Sequence, residues 1–324
     1  MRQSVRSTVS SASASSSSSQ RSVKVILLNK QELTVVTESK ARIRDIFHQV
    51  CDHVGLREVE YFGLAQLIDG EFFFTDQETK LHKLLPKGWK SKAEAAISLY
   101  LRVMHYVPHV SVLRERATRQ QYYLQLKDNL LNHNQYVSED KCFVLAGYAL
   151  QADDGNHTHD RDVPYFDPRE YCPAWVIEER GTKYIKQHLP TMHADLCGMS
   201  RLEAMMLFIK DVSLSPHAHN LHFYKLKKRK CDDLGTAWLA VCPSGIQIYE
   251  EVHRFKSLLS TFAWPDIKKL HVDKKKFEIR AEGLSDHKFV YFTGSEEHGQ
   301  RLLSLCRASH LFQMALQPKM AELR

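Results

Sequence analysis

The chain has 324 residues, 43% hydrophobic and 26% charged, which suits a globular protein of two or three domains. No run approaches the roughly 18 consecutive apolar residues of a membrane span and the N-terminus has no apolar signal core, so a chain that stays on the cytoplasmic side is expected. The formal net charge of +7 gathers in residues 220–324, with 18 basic against 12 acidic residues, a balance suited to lipid headgroups or nucleic acid.

Residues 1–21 are expected to be a disordered tail, because Ser4 to Ser19 holds ten serines and no aromatic side chain. Residues 22–107 form a first unit. SVKVILL and ELTVV flank a turn at Asn29-Lys30-Gln31, and Ile43, Ile46, Phe47, Val50 and Val54 recur at the helical period. Asp69-Gly70 between apolar runs marks a hairpin. Leu81, Leu84 and Leu85 suggest a short helix, and Ile97 to Val103 alternate as a last strand. This is the order of a ubiquitin-like fold.

Residues 108–219 carry helical spacing throughout. A helix is expected over about 112–133, and a second after Ser138 at its N-cap, with Cys142, Leu145, Ala146, Ala149 and Leu150 on one face. A third begins near Tyr184 and ends at Pro190, and a fourth opens with the capping box of Ser200 and Glu203.

Residues 220–324 turn to short period-two runs. HFYKL is a first strand, and WLAVC and IQIYE make a hairpin across Pro243-Ser244-Gly245. FAWPDIKKLHV bends at Trp264-Pro265, since proline removes a ladder donor, and KFEIRA and KFVYF follow. A closing helix then presents Leu302, Leu305, Cys306, Ser309, Phe312 and Leu316 as one stripe. Seven antiparallel strands and a helix are the order of pleckstrin-homology and phosphotyrosine-binding modules.

Here the sequence resembles a known family. LAVCPSGIQIYEE followed by FAWPDIKKLHVDKKKFEI is similar to the third lobe of a FERM domain, and LAGYALQADDGN and YFDPREYCPAW resemble its second. The resemblance covers residues 22–318. It implies an α+β fold in a three-lobed cloverleaf: a ubiquitin-like lobe (22–107), an acyl-CoA-binding-protein-like helical bundle (108–219) and a PH/PTB-like lobe (220–324). LIDGEFFFTDQETKL, KLLPKGWKS and YYLQL are most like the Expanded/Willin branch, whose members are cortical scaffolds in Hippo growth-control signalling.

Catalytic signatures are absent. There is no Gly-rich phosphate loop, no G-x-S-x-G elbow and no kinase motif, and no enzyme activity or cofactor is expected. His217, His219 and His222, with His157 and His159, lack zinc-site spacing and read as an exposed linker between lobes. Asp153, Asp154, Asp160 and Asp162 lack the calcium-loop pattern. Seven scattered cysteines without C-x-x-C pairs read as reduced, mostly buried thiols.

Basic clusters remain: LKKRK at 226–230, Lys274, Lys275 and Lys276 on the third lobe, and Lys80, Lys83, Lys87, Lys90 and Lys92 on the first. The resemblance places Lys275 and Lys276 where the family binds inositol-phosphate headgroups, facing the cleft between first and third lobes. No RNP-type aromatic run accompanies the lysines, so nucleic acid is not expected. A peptide groove is expected between Lys268, Lys269, Leu270, His271 and Val272 on an edge strand and His310 and Met314 on the closing helix. The resemblance thus implies an adaptor on the inner face of the plasma membrane or at cell junctions, holding acidic phosphoinositides, cytoplasmic tails of membrane proteins and signalling scaffolds. The alternative is the targeting module of a longer enzyme such as a non-receptor tyrosine phosphatase, whose distinguishing part would lie beyond Arg324.

Overall fold

The computed structural model describes the backbone of residues 7–10 and all atoms of residues 20–85, 97–157, 165–214, 218–282 and 288–322. The chain divides into two compact units, residues 1–105 with 115–121, and residues 106–114 with 122–324.

The first unit is a mixed sheet of order β1-β3-β2-β6-β4-β5, built from β1 (Ser7–Ser10), β2 (Gln20–Ile26), β3 (Glu32–Glu38), β4 (Phe62–Ile68), β5 (Glu71–Phe74) and β6 (Ile97–Val103). Helix α1 (Ile43–Val54) buries Ile43, Ile46, Phe47, Val50 and Cys51, the stripe its period dictates, and ends at Gly55 in the left-handed region. The β4–β5 turn has positive φ at both Asp69 and Gly70, the geometry that Asp-Gly favours in a two-residue hairpin. The serine-rich segment departs from expectation. Ser7–Ser10 pairs in parallel with Leu33 to Val36, because β3 otherwise presents an open row of backbone donors and acceptors that an extended backbone can satisfy.

In the second unit, α2 (Arg116–Asn132, from Tyr122 onward), α3 (Glu139–Asp154), α4 (Ala174–Ala194) and α5 (Arg201–Val212) form the helical part. Ser200 and Glu203 close the expected capping box, whereas Ser138 at the N-cap of α3 makes no side-chain bond. Pro190 does not end its helix. α4 breaks at Gly181, whose φ of 77° and ψ of 152° are not helical, and then runs through Pro190 to Ala194. Leu189 and His193 are fully buried on either side of the proline, and His193 is fixed by Tyr165 Oη at 2.9 Å and the Gly155 carbonyl at 2.8 Å. Those anchors hold the turn that a lone proline would open. The linker also departs from expectation. His219, Asn220 and Leu221 are buried, with the His219 carbonyl accepting from Asn129 Nδ2 at 2.7 Å and Asn220 Nδ2 donating to the Val107 carbonyl at 3.3 Å. His217, His159, Asp160 and Asp162 lie outside the described residues.

The remaining strands make two sheets. β7 (His222–Leu226), β8 (Ala237–Cys242), β9 (Gly245–Val252) and β10 (Phe255–Ala263) run in the order β10-β9-β8-β7; β11 (Ile267–Asp273), β12 (Lys276–Ala281) and β13 (Lys288–Phe292) follow in sequence order. The chain passes between the sheets through a 3-10 turn at Trp264–Asp266, where the proline was expected to bend it. Helix α6 (Glu296–Ala321) buries Leu302, Leu305, Cys306, Ser309 and Leu316. Phe312 is only half-buried, and Gln313 takes the inner place, donating to the Tyr106 carbonyl at 2.7 Å.

Candidate functional site: an open sheet edge beside the closing helix

β11 pairs with β12 on one side, and among the described residues no strand lies on the other. Its residues alternate. Val272 is buried and Leu270 half-buried on the face toward α6, while Lys269, His271 and Asp273 are exposed on the opposite face. A bulge between Ile267 and Lys269 displaces Lys268, whose amine sits 3.4 Å from the Glu282 carboxylate in an exposed pair.

Two contacts fix the strand against the helix. A Cβ on Gly299 would meet Val272 Cγ1 at 3.0 Å, so any larger residue in the first turn of α6 would push Val272 aside by a few tenths of an ångström. At the other end of the strand, His310 stacks on Trp264 with ring centroids 5.3 Å apart, and Trp264 is itself pinned by its Nε1 bond to the Pro243 carbonyl at 3.0 Å. Further along α6, Leu311 next to His310 and Met314 one turn beyond it are 65% and 59% exposed. The structure thus brings Lys269, Leu270, His271, Val272 and His310 to one strand and its facing helix, with Met314 one turn beyond His310.

The lysines at 274–276 separate into two kinds. Lys274 and Lys275 form the exposed tip of the β11–β12 hairpin, Lys274 with a φ of 53°. Lys276 is held: its amine bonds the carboxylate of Glu278, which also lies 3.6 Å from Arg280 Nη2 and 4.0 Å from Lys288 Nζ. Glu278 is 6% exposed, and the Lys276 hydrogen bond, ahead of the surrounding charges, lowers its carboxyl pKa. Sequence reading missed this cluster, although the period-two spacing of 276, 278 and 280 already puts those three on one face. In the first unit Lys80 and Lys83 are exposed, while Lys87, Lys90 and Lys92 lie outside the described residues. Among the described residues no group of three or more His, Cys, Asp or Glu side chains could hold a metal ion.

Family models match most of the chain: the FERM N-terminal domain over residues 25–87, the FERM central domain over 108–224 and the FERM C-terminal PH-like domain over 232–321. The chain belongs to the FERM domain family. Its fold is likewise similar to the FERM and C-terminal domain complex of Drosophila Merlin, with a TM-score of 0.75 and 23% identity, over 94% of this chain and 99% of that one. Among curated relatives, human tyrosine-protein phosphatase non-receptor type 13 is 32% identical over 92% of the chain, and Protein expanded of Drosophila melanogaster is 28% identical over 91%. The chain spans only 12% and 26% of those relatives' lengths. Three FERM lobes therefore account for the matched sequence, and none of the three matching models is a catalytic domain. No described helix is long and apolar enough to cross a membrane.

Proposed function

We propose that this FERM chain is a non-catalytic adaptor on the inner face of the plasma membrane, with lobes at 22–107, 108–219 and 220–324. It takes extended cytoplasmic tails of membrane or junction proteins on the β11 edge and acidic phosphoinositides through exposed lysines. The observation that carries the reading is the unpaired outer side of β11, a strand packed against α6, with exposed Met314 further along that helix. Unpaired backbone groups can accept an added strand, and the half-buried Leu270 supplies a floor for its alternate side chains. Lys268 and Lys269 guard the same edge against indiscriminate pairing, as edge lysines do.

Two substitutions test the edge. Leu270→Pro puts a ring into the strand, and Met314→Asp places a charge on the exposed apolar wall without touching the core. Each should lower capture of purified cytoplasmic receptor tails by at least about tenfold while the circular dichroism stays that of the native fold. Undiminished capture by both variants would show that tails dock elsewhere.

The likeness to Protein expanded supports a place in Hippo-type growth control. The likeness to a non-receptor tyrosine phosphatase supports the second reading, a membrane-targeting module of a longer enzyme. The full-length transcript separates them, since a phosphatase domain downstream of Arg324 excludes the free scaffold.

A further inference from the structure

The register of the β11–β12–β13 sheet sets Lys269 directly opposite Arg280, and Arg280 directly opposite Lys288. Three exposed cations thus stand in one row across three strands spaced about 4.8 Å apart. Like charges at directly opposite positions destabilise a sheet, so the row works against the fold unless something negative lies along it. Glu278, on the same face of β12, answers part of the row through Arg280 and Lys288. Lys269 is left over. Among the described residues no carboxylate lies within ion-pair distance of it, and it stands at the end of the row that meets the open edge.

We infer that the strand received by β11 is acidic at one register: a carboxylate opposite Lys269 continues the row, and its apolar neighbour lies over Leu270 toward α6. The inference rests on the reading of β11 as the docking edge and adds the chemistry of the partner. Asp273, on the same outer face further along β11, repels an acid there, so the preference is confined to the Lys269 end and fixes the register of the added strand. A phosphoinositide surface fits the row less well, because Glu278 and Asp273 face the same way and weaken the field felt by a broad polyanion.

A random peptide library displayed on phage and panned against the whole chain tests this, with binders resynthesised and measured by fluorescence anisotropy. The expected binders alternate apolar and acidic residues, and their affinity drops with Leu270→Pro or Met314→Asp. Changing the key Glu of a binder to Gln should weaken it about threefold, and Lys269→Glu about tenfold, with affinity regained when that peptide Glu becomes Lys. Lys269 is exposed, and Lys269→Gln offers a milder check that the fold is unaffected. Binders that depend on Leu270 and Met314 but ignore both Lys269 and their own acidic residues overturn the acidic preference while the edge stands. No binders, or binders indifferent to Leu270 and Met314, overturn the edge itself. If Lys269→Glu abolishes binding to phosphatidylcholine vesicles containing phosphatidylinositol bisphosphate and leaves peptide binding unchanged, the row serves a membrane and the inference fails.

Discussion

Burial holds the thiols of Cys51, Cys142 and Cys172 protonated, desolvation pushing each pKa from 9.0 up to about 12. In the unfolded chain these thiols ionise near 9, so between about pH 9 and 12 the folded state binds more protons than the unfolded one. Stability contributed below that window is then lost as pH rises through it. Urea midpoints should therefore fall steadily above pH 9, and Cys142→Ser should flatten that fall. Thiol reagents should see the same division at neutral pH: Cys197 and Cys231 are exposed and react in the native protein, while the other five wait for unfolding. At the acid side His105 has its pKa lowered by burial from 6.5 to about 4. Here the unfolded state takes up the proton first, so stability drops as pH falls from about 6.5 to 4, by on the order of 3 kcal/mol. His105→Gln should remove that slope, and an unchanged acid limb in urea titrations would assign it to other groups. Gly245 is a third single-residue constraint. A Cβ there would meet the Phe262 carbonyl oxygen at 2.0 Å, a backbone atom that cannot swing aside, so Gly245→Ala should cost about 3 kcal/mol or more, read from the urea midpoint.

At the scale of elements, much was legible because local pattern and local geometry coincide. α1 spans the residues its apolar period marks, Asp69-Gly70 turns the hairpin, and seven strands plus α6 follow where period-two runs give way to a helical stripe. What escaped depends on partners distant in sequence. Pro190 is carried inside α4 by the burial of Leu189 and His193, and His219 is buried by Asn129, 90 residues upstream. The cation row was illegible for the same reason, since Arg280 opposes Lys288 only through the register of β12 with β13, and Lys269 only after a bulge is allowed for. Gln313 shows how such a tie can be tested. Its amide donates to the Tyr106 carbonyl, 207 residues away, inside the buried stripe of α6. Gln313→Leu should leave that carbonyl buried without its donor and cost about 1–3 kcal/mol in urea unfolding, more than Phe312→Leu on the half-buried flank of the same helix.

For the molecule as a whole, the excess of positive charge in residues 220–324 gains meaning only when lysines already engaged are set apart from those that face water. Lys276 is engaged, because it bonds Glu278; a glutamate at 276 would bring two carboxylates together in a nearly buried place and disturb the sheet. Lys274 and Lys275 at the hairpin tip are exposed and can meet an anionic surface without loss of a structural contact. If headgroups are held by charge, Lys274→Glu with Lys275→Glu should reduce sedimentation with vesicles containing phosphatidylinositol bisphosphate by at least about tenfold, each lysine near an anionic leaflet being worth about 1 kcal/mol. The circular dichroism and urea midpoint should stay unchanged. Lys80→Glu with Lys83→Glu tests the first unit separately. Binding by the unaltered chain should also weaken steeply as salt rises above about 0.1 M, where the screening length falls below about 10 Å. Vesicle binding that survives both pairs of substitutions and is flat in salt would mean that the charge of these lysines is not what holds the chain to lipid.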